Sequence, residues 1–92
     1  MSPSRIKSAV ASVMCVSVKD IESRNRTKAV ALARHIAIYL TYHDGRTLMD
    51  VAKIFGRHHA AVINSVKQVN HWREHDWEIK DIMKQVNEAI CT

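Results

Sequence analysis

The stretch from Thr47 to Lys67, T-L-M-D-V-A-K-I-F-G-R-H-H-A-A-V-I-N-S-V-K, leaves this chain few folds to choose from. Thr47 is a good N-cap, and Asp50 three residues on can answer the free N–H groups of a first helical turn. A helix therefore starts near Leu48. Leu48, Val51, Ala52 and Phe55 follow the i, i+3, i+4, i+7 spacing of one buried face, and Gly56 supplies the backbone freedom that ends it. A second helix begins at His58 or His59. Its inward stripe is Val62, Val66 and Val69, with Ile63 beside it, which leaves Ala60, Ala61, Asn64, Lys67, Gln68 and His71 outside. Helix, glycine turn and helix together read as a helix-turn-helix. The outer face of the second helix holds one cation and no acid. Such a face can lie against phosphates and base edges, because Asn and Gln pair with adenine and a methyl group touches thymine. The same spacing also describes an ordinary helical hairpin with a solvated face.

The whole chain has 92 residues, room for one modest core and too few for a nucleotide-binding domain plus anything else. We take residues 1–92 as a single domain. Two Gly and one Pro leave no internal linker, so almost everything after Ser4 can be helical and the fold class is all-α, with five or six helices. No run approaches the roughly 18 apolar residues that span a bilayer, and no signal-peptide core opens the chain. The expected place is the cytoplasm, on the nucleoid, with the gene carried by a bacterium or a phage. Cys15 and Cys91 stand alone and are expected to be reduced, partly buried thiols.

Charge is unevenly spread. Residues 1–73 hold 12 Lys and Arg against 4 Asp and Glu, a balance of +8, and residues 74–92 hold 2 against 5, or −3, which together give the net +5. A basic body with an acidic final helix suits a polyanion held away from that helix. A pI near 9.6 is by itself unremarkable in a small protein.

Ser4 is placed to cap a first helix running to about Val16, with Ile6, Ala9, Val10, Val13 and Met14 inward. One or two turns fit Lys19 to Ser23. Arg24, Arg26 and Lys28 then alternate across a loop and the start of the next helix, for which Thr27 is the natural N-cap. Cations at a helix N-terminus oppose its dipole, and a docked phosphate would relieve that. Lys28 to about His43 has two adjacent apolar stripes, so it should be the central helix, with Arg34 and His35 emerging at its edge. Asp44-Gly45 breaks it. Asp76 to about Ile90 is amphipathic and packs on the body or on a partner, a protein or a second copy. Trp72 and Trp77 are expected to clasp it.

Six histidines raise the question of a metal, and His71 and His75 have the spacing that points two imidazoles to one side of a helix. Glu74, Asp76 and His43 are weak third ligands, and the helix is expected to break between His71 and His75, so no metal site is assigned. No nucleophile stands in a catalytic setting, Ser65 lying within a helix and Cys15 in an expected core, so no enzyme is expected. No cofactor is called for.

The order of basic loop, central helix and helix-turn-helix, from Val16 to Val69, resembles the C-terminal DNA-binding domain, domain IV, of the bacterial replication initiator DnaA. The family's central helix is matched by A-R-H-I-A-I-Y-L from Ala33 to Leu40. Its motif F-G-G-R-D-H-T-T-V is matched by Phe55, Gly56, Arg57, His58, His59, Ala60, Ala61 and Val62. The resemblance implies a helix-turn-helix fold, Trp-repressor-like, that binds double-stranded DNA. It implies a minor-groove role for Arg26, base-reading positions for His58, His59 and Ala60, and phosphate contacts for Arg34 and His35, with Lys28 in the same basic segment. Arg24, Arg57, Ala61, Asn64 and Lys67 complete the expected DNA face. One glycine is missing, His58 replaces an Asp that accepts from cytosine, and Ala60 and Ala61 replace two threonines. Each base contact removed in this way is worth about 1–3 kcal/mol of discrimination, which puts the family's usual target in question. No G-x-x-x-x-G-K-[ST] stretch is present to hold a nucleotide. The expectation is a stand-alone, sequence-preferring DNA reader without the ATPase module, serving replication initiation, its regulation or transcription regulation. The alternative is a protein-interaction module that binds a partner through the final helix or through Trp72 and Trp77, its basic surface incidental.

Overall fold

The computed structural model describes Ser2 to Cys91, and among these residues every regular element is a helix. The helices are α1 (Pro3–Met14), α2 (Val18–Glu22), α3 (Lys28–Tyr42), α4 (Leu48–Phe55), α5 (His59–His75) and α6 (Trp77–Cys91). Their ends follow local chemistry. Ser17 and Thr47 each accept a backbone N–H three residues on, from Asp20 at 2.9 Å and Asp50 at 3.1 Å, so α2 and α4 start where those side chains replace the missing partners. Helix α4 ends at Gly56, which takes φ of 61°, a left-handed backbone that costs an L side chain about 1–2 kcal/mol. Its N–H turns back onto the Ala52 and Lys53 carbonyls. Helix α1 begins at Pro3, flanked by Ser2 with no side-chain cap, rather than at a Ser4 cap.

Helix α3 is central, packed by α1, α2, α4 and α5, and α6 covers α1 and α5. The two apolar stripes of α3 explain this: Ala33, Ile36, Ala37 and Ile38 are all buried. Val10 from α1, Ile21 from α2, Val51 from α4 and Val62 and Val69 from α5 belong to the same core with no exposure, as does Val86 from α6. Ile79, Met83, Val86 and Ile90 bury the apolar face of α6 against the body, which settles where that amphipathic helix docks.

Several expectations are corrected. Cys15 and Cys91 are exposed; Cys15 takes φ of 57° as the residue that terminates α1, so it faces solvent and not the core. Helix α5 runs unbroken to His75, with the rings of His71 and His75 centred 4.5 Å apart. Among the described residues no group of three or more His, Cys, Asp or Glu could hold a metal. Trp72 packs on the core, whereas Trp77, the first residue of α6, is 75 % exposed and clasps nothing. No described helix is long and apolar enough to cross a membrane.

Candidate nucleic-acid interface

The basic loop between α2 and α3 is a built structure. Ser23 Oγ donates to the Asp20 carbonyl at 2.7 Å and accepts the Asn25 N–H at 3.1 Å, and Asn25 Oδ1 accepts the Thr27 N–H at 2.9 Å. These local bonds are those by which Ser and Asn stabilise turns. Two arginines then fasten the loop to the domain. Arg34 donates from Nε to the Ile21 carbonyl at 2.9 Å, and from Nη2 to the carbonyls of Asp20 at 3.1 Å and Asn25 at 2.9 Å. Arg57, in the turn between α4 and α5, donates from Nη2 to the Ser23 carbonyl at 2.6 Å. Arg24, Arg26 and Lys28 are left exposed on this frame.

Arg34 does not emerge at the edge of α3. It is 8 % exposed, and burial, then the nearby guanidinium of Arg57, lowers its pKa. Three carbonyls engage its Nε and Nη2, so it anchors the loop from a buried position and not from the exposed edge of the helix. His35 is half-buried: its Nδ1 lies 2.6 Å from Ser65 Oγ, and its ring meets Trp72 edge-on, centroids 5.8 Å apart. It joins α3 to α5 from within. Arg57 is half-buried on the Ser23 carbonyl. By contrast His58, His59, Ala60, Ala61, Asn64 and Lys67 are all exposed along the first turns of α5. His58 caps that helix, its Nδ1 accepting the Ala60 N–H at 3.2 Å, and its ring lies against that of His59.

The structure thus brings two features together, the loop carrying Arg24 and Arg26 and the start of α5, with Arg57 spanning from one to the other. Thr27 sits at the N-cap of α3 with extended backbone but makes no cap bond, which leaves that first turn without a side-chain acceptor beside exposed Arg26 and Lys28. An anion is favoured there by the helix dipole and by both side chains.

A family model described as the bacterial dnaA protein helix-turn-helix matches residues 3–69. The chain belongs to that DnaA helix-turn-helix family. The matched residues take in the basic loop, α3, α4 and the first part of α5. Proteins named chromosomal replication initiator protein DnaA are similar to it over most of its length. The one from Mycoplasma capricolum is 34 % identical over 90 residues, covering 96 % of this chain and 20 % of the relative. The one from Anaplasma marginale is 36 % identical over 78 residues, covering 83 % and 17 %. The one from Desulfotalea psychrophila is 32 % identical over 80 residues, covering 86 % and 17 %. The chain therefore spans at most about a fifth of the length of these relatives.

Sequence reasoning missed Ser65 and Lys7. Ser65 is 2 % exposed and falls between Val62 and Val69 on the buried stripe of α5, a position that could have marked it as a buried polar contact. Lys7 is 6 % exposed, its Nζ 2.8 Å from Glu22 Oε2, donating to the Ile54 carbonyl at 3.4 Å and lying 4.8 Å from the Phe55 ring centre. It ties α1 to α2 and α4, and no local spacing signals that.

Proposed function

We propose that this domain binds double-stranded DNA with sequence preference, placing the start of α5 in the major groove and the loop of Arg24 and Arg26 in the adjacent minor groove. The observation that carries this is the exposed, acid-free surface from His58 to Lys67 held beside the basic loop by the Arg57 to Ser23 hydrogen bond. Helix-turn-helix proteins read bases with the N-terminal residues of their second helix, and guanidiniums supply affinity at phosphates and in the minor groove. The names of its relatives point to chromosomal replication initiation, or its regulation, as the process served. Regulation of transcription is the other use of such a reader. Lys28, Asn64 and Lys67 are the further contacts, and the binding we propose uses no nucleotide, cofactor or metal.

Fluorescence anisotropy tests it, titrating the protein against a duplex carrying the DnaA-box sequence, a scrambled duplex and a genomic pool at two salt concentrations. Preference for the box supports a role at replication origins, and salt-sensitive binding without preference indicates an altered target. No binding at low salt overturns the proposal. Arg26→Ala should weaken whichever duplex binds. One observation favours a second reading, a protein partner at the start of α6: Trp77 is 75 % exposed beside Glu78. Because the apolar face of α6 is already buried on the body, that contact would have to be made around Trp77.

A further inference from the structure

The cap at the start of α5 fixes the hydrogen-bonding sense of His58. With φ of −71° and ψ of 148°, His58 occupies the N-cap, and its Nδ1 accepts the Ala60 N–H at 3.2 Å. A ring nitrogen that accepts a hydrogen bond carries no proton, so the neutral imidazole holds its proton on Nε2. The His59 ring lies against it, centroids 4.2 Å apart and planes 32° apart, so the capping ring has a neighbour on one face. Nε2 is on the side of the ring away from the capped N–H, and the residue is exposed. While it makes that cap, His58 presents a donor, and no acceptor, from the tip of the second helix.

That tip is the part of a helix-turn-helix that meets base edges in the major groove. There guanine offers two adjacent acceptors, N7 and O6, adenine N7 alone beside a donor, and thymine O4, whereas cytosine offers an amino donor. A donor is best matched by guanine and is unmatched at cytosine. We infer that His58 is a specificity-determining residue that selects guanine and rejects cytosine at one position of the duplex site, an assignment that rests on the DNA-binding function proposed above. An oxygen acid at the same N-cap would do the reverse. It would cap the helix equally well and turn an acceptor outward, toward cytosine.

The test is selection from a pool of duplexes with a randomised segment, run with the wild type, His58→Asp and His58→Asn, each first checked for a cooperative melt. Asp and Asn both cap; Asn keeps an N–H donor when its oxygen makes the cap, and Asp has none. The wild type and His58→Asn are expected to recover guanine at one position where His58→Asp recovers cytosine. Placing cytosine there should weaken wild-type binding about five-fold in anisotropy titrations, the lower end of base-contact discrimination. If the Asp variant recovers the wild-type base at every position, or the wild type itself recovers cytosine at the position that changes, the assignment fails. Binding without any enriched base also overturns it while leaving DNA binding intact, and no binding by the wild type overturns both. If His58→Asp does not fold, a wild-type and His58→Asn pair that disagree at the guanine position overturns it equally.

Discussion

Proton binding at His35 links the contact between α3 and α5 to pH. Burial first, then the guanidiniums of Arg34 and Arg57, lowers the pKa of His35 below its ordinary 6.5. The imidazole of the unfolded chain therefore takes up a proton at higher pH than the folded one. As pH falls through 6.5 the unfolded state binds more protons, so stability declines from there down to the lowered folded pKa and is unaffected above it. The neutral ring is also the form that suits a Ser65 hydroxyl at 2.6 Å with two guanidiniums nearby. Thermal melts of the wild type and of His35→Asn, which keeps a polar group near Ser65 and does not titrate, check this. The melting temperature of the wild type should fall more steeply between about pH 7 and pH 5, and the two curves should run parallel above pH 7. Parallel curves over the whole range would mean that His35 carries no such linkage.

The loop between α2 and α3 is an element in its own right, because two distant arginines hold its carbonyls. Arg57→Ala removes the charge-assisted hydrogen bond to the Ser23 carbonyl and should cost about 1–2 kcal/mol in chemical denaturation. Hydrogen exchange at the Asn25 and Thr27 amides should quicken while α6 is unaffected. Arg57→Lys should not restore protection, since a single ammonium on a flexible stem does not reproduce a guanidinium fixed in place. Unchanged exchange in the loop would show that Arg34 alone secures it. These clamps also explain what the sequence could and could not convey. The bounds of α4, the glycine stop at Gly56, the wide buried face of α3 and the exposed residues of early α5 all follow from spacing within a few residues, and all were legible. Arg57 meets a carbonyl 34 residues away, Lys7 meets one 47 away and Arg34 one 13 away. A helical wheel places Arg34 near an edge, but only the tertiary position of the loop turns its guanidinium inward. Trp77 departs from expectation for the converse reason. Its side chain has the size for a clasp, but the chain enters α6 there facing solvent.

For the whole molecule, net charge overstates the surface that a polyanion meets. Lys7 and Arg34 are buried and Arg57 is held on a backbone carbonyl, so the basic character of the face around α5 rests on Arg24, Arg26, Lys28, Lys67 and Lys53, which lines a groove with His58 and His59. A second set of cations, Arg73, Lys80 and Lys84, lines a groove between α5 and α6 together with Glu88. Arg73 lies about 21 Å along the axis from His59, at 1.5 Å per residue, so a duplex centred on the start of α5 and one lying in that groove are different complexes. Salt dependence separates them, because each phosphate that is no longer neutralised lowers the slope of log affinity against log salt by about 0.9. Replacing Arg24 and Arg26 together with Ala should lower the slope by up to about 1.8, and replacing Lys80 and Lys84 together should leave it unchanged. If the α6 pair carries the slope instead, the duplex lies across the α5–α6 groove, and the exposed residues from His58 to Lys67 do not read it.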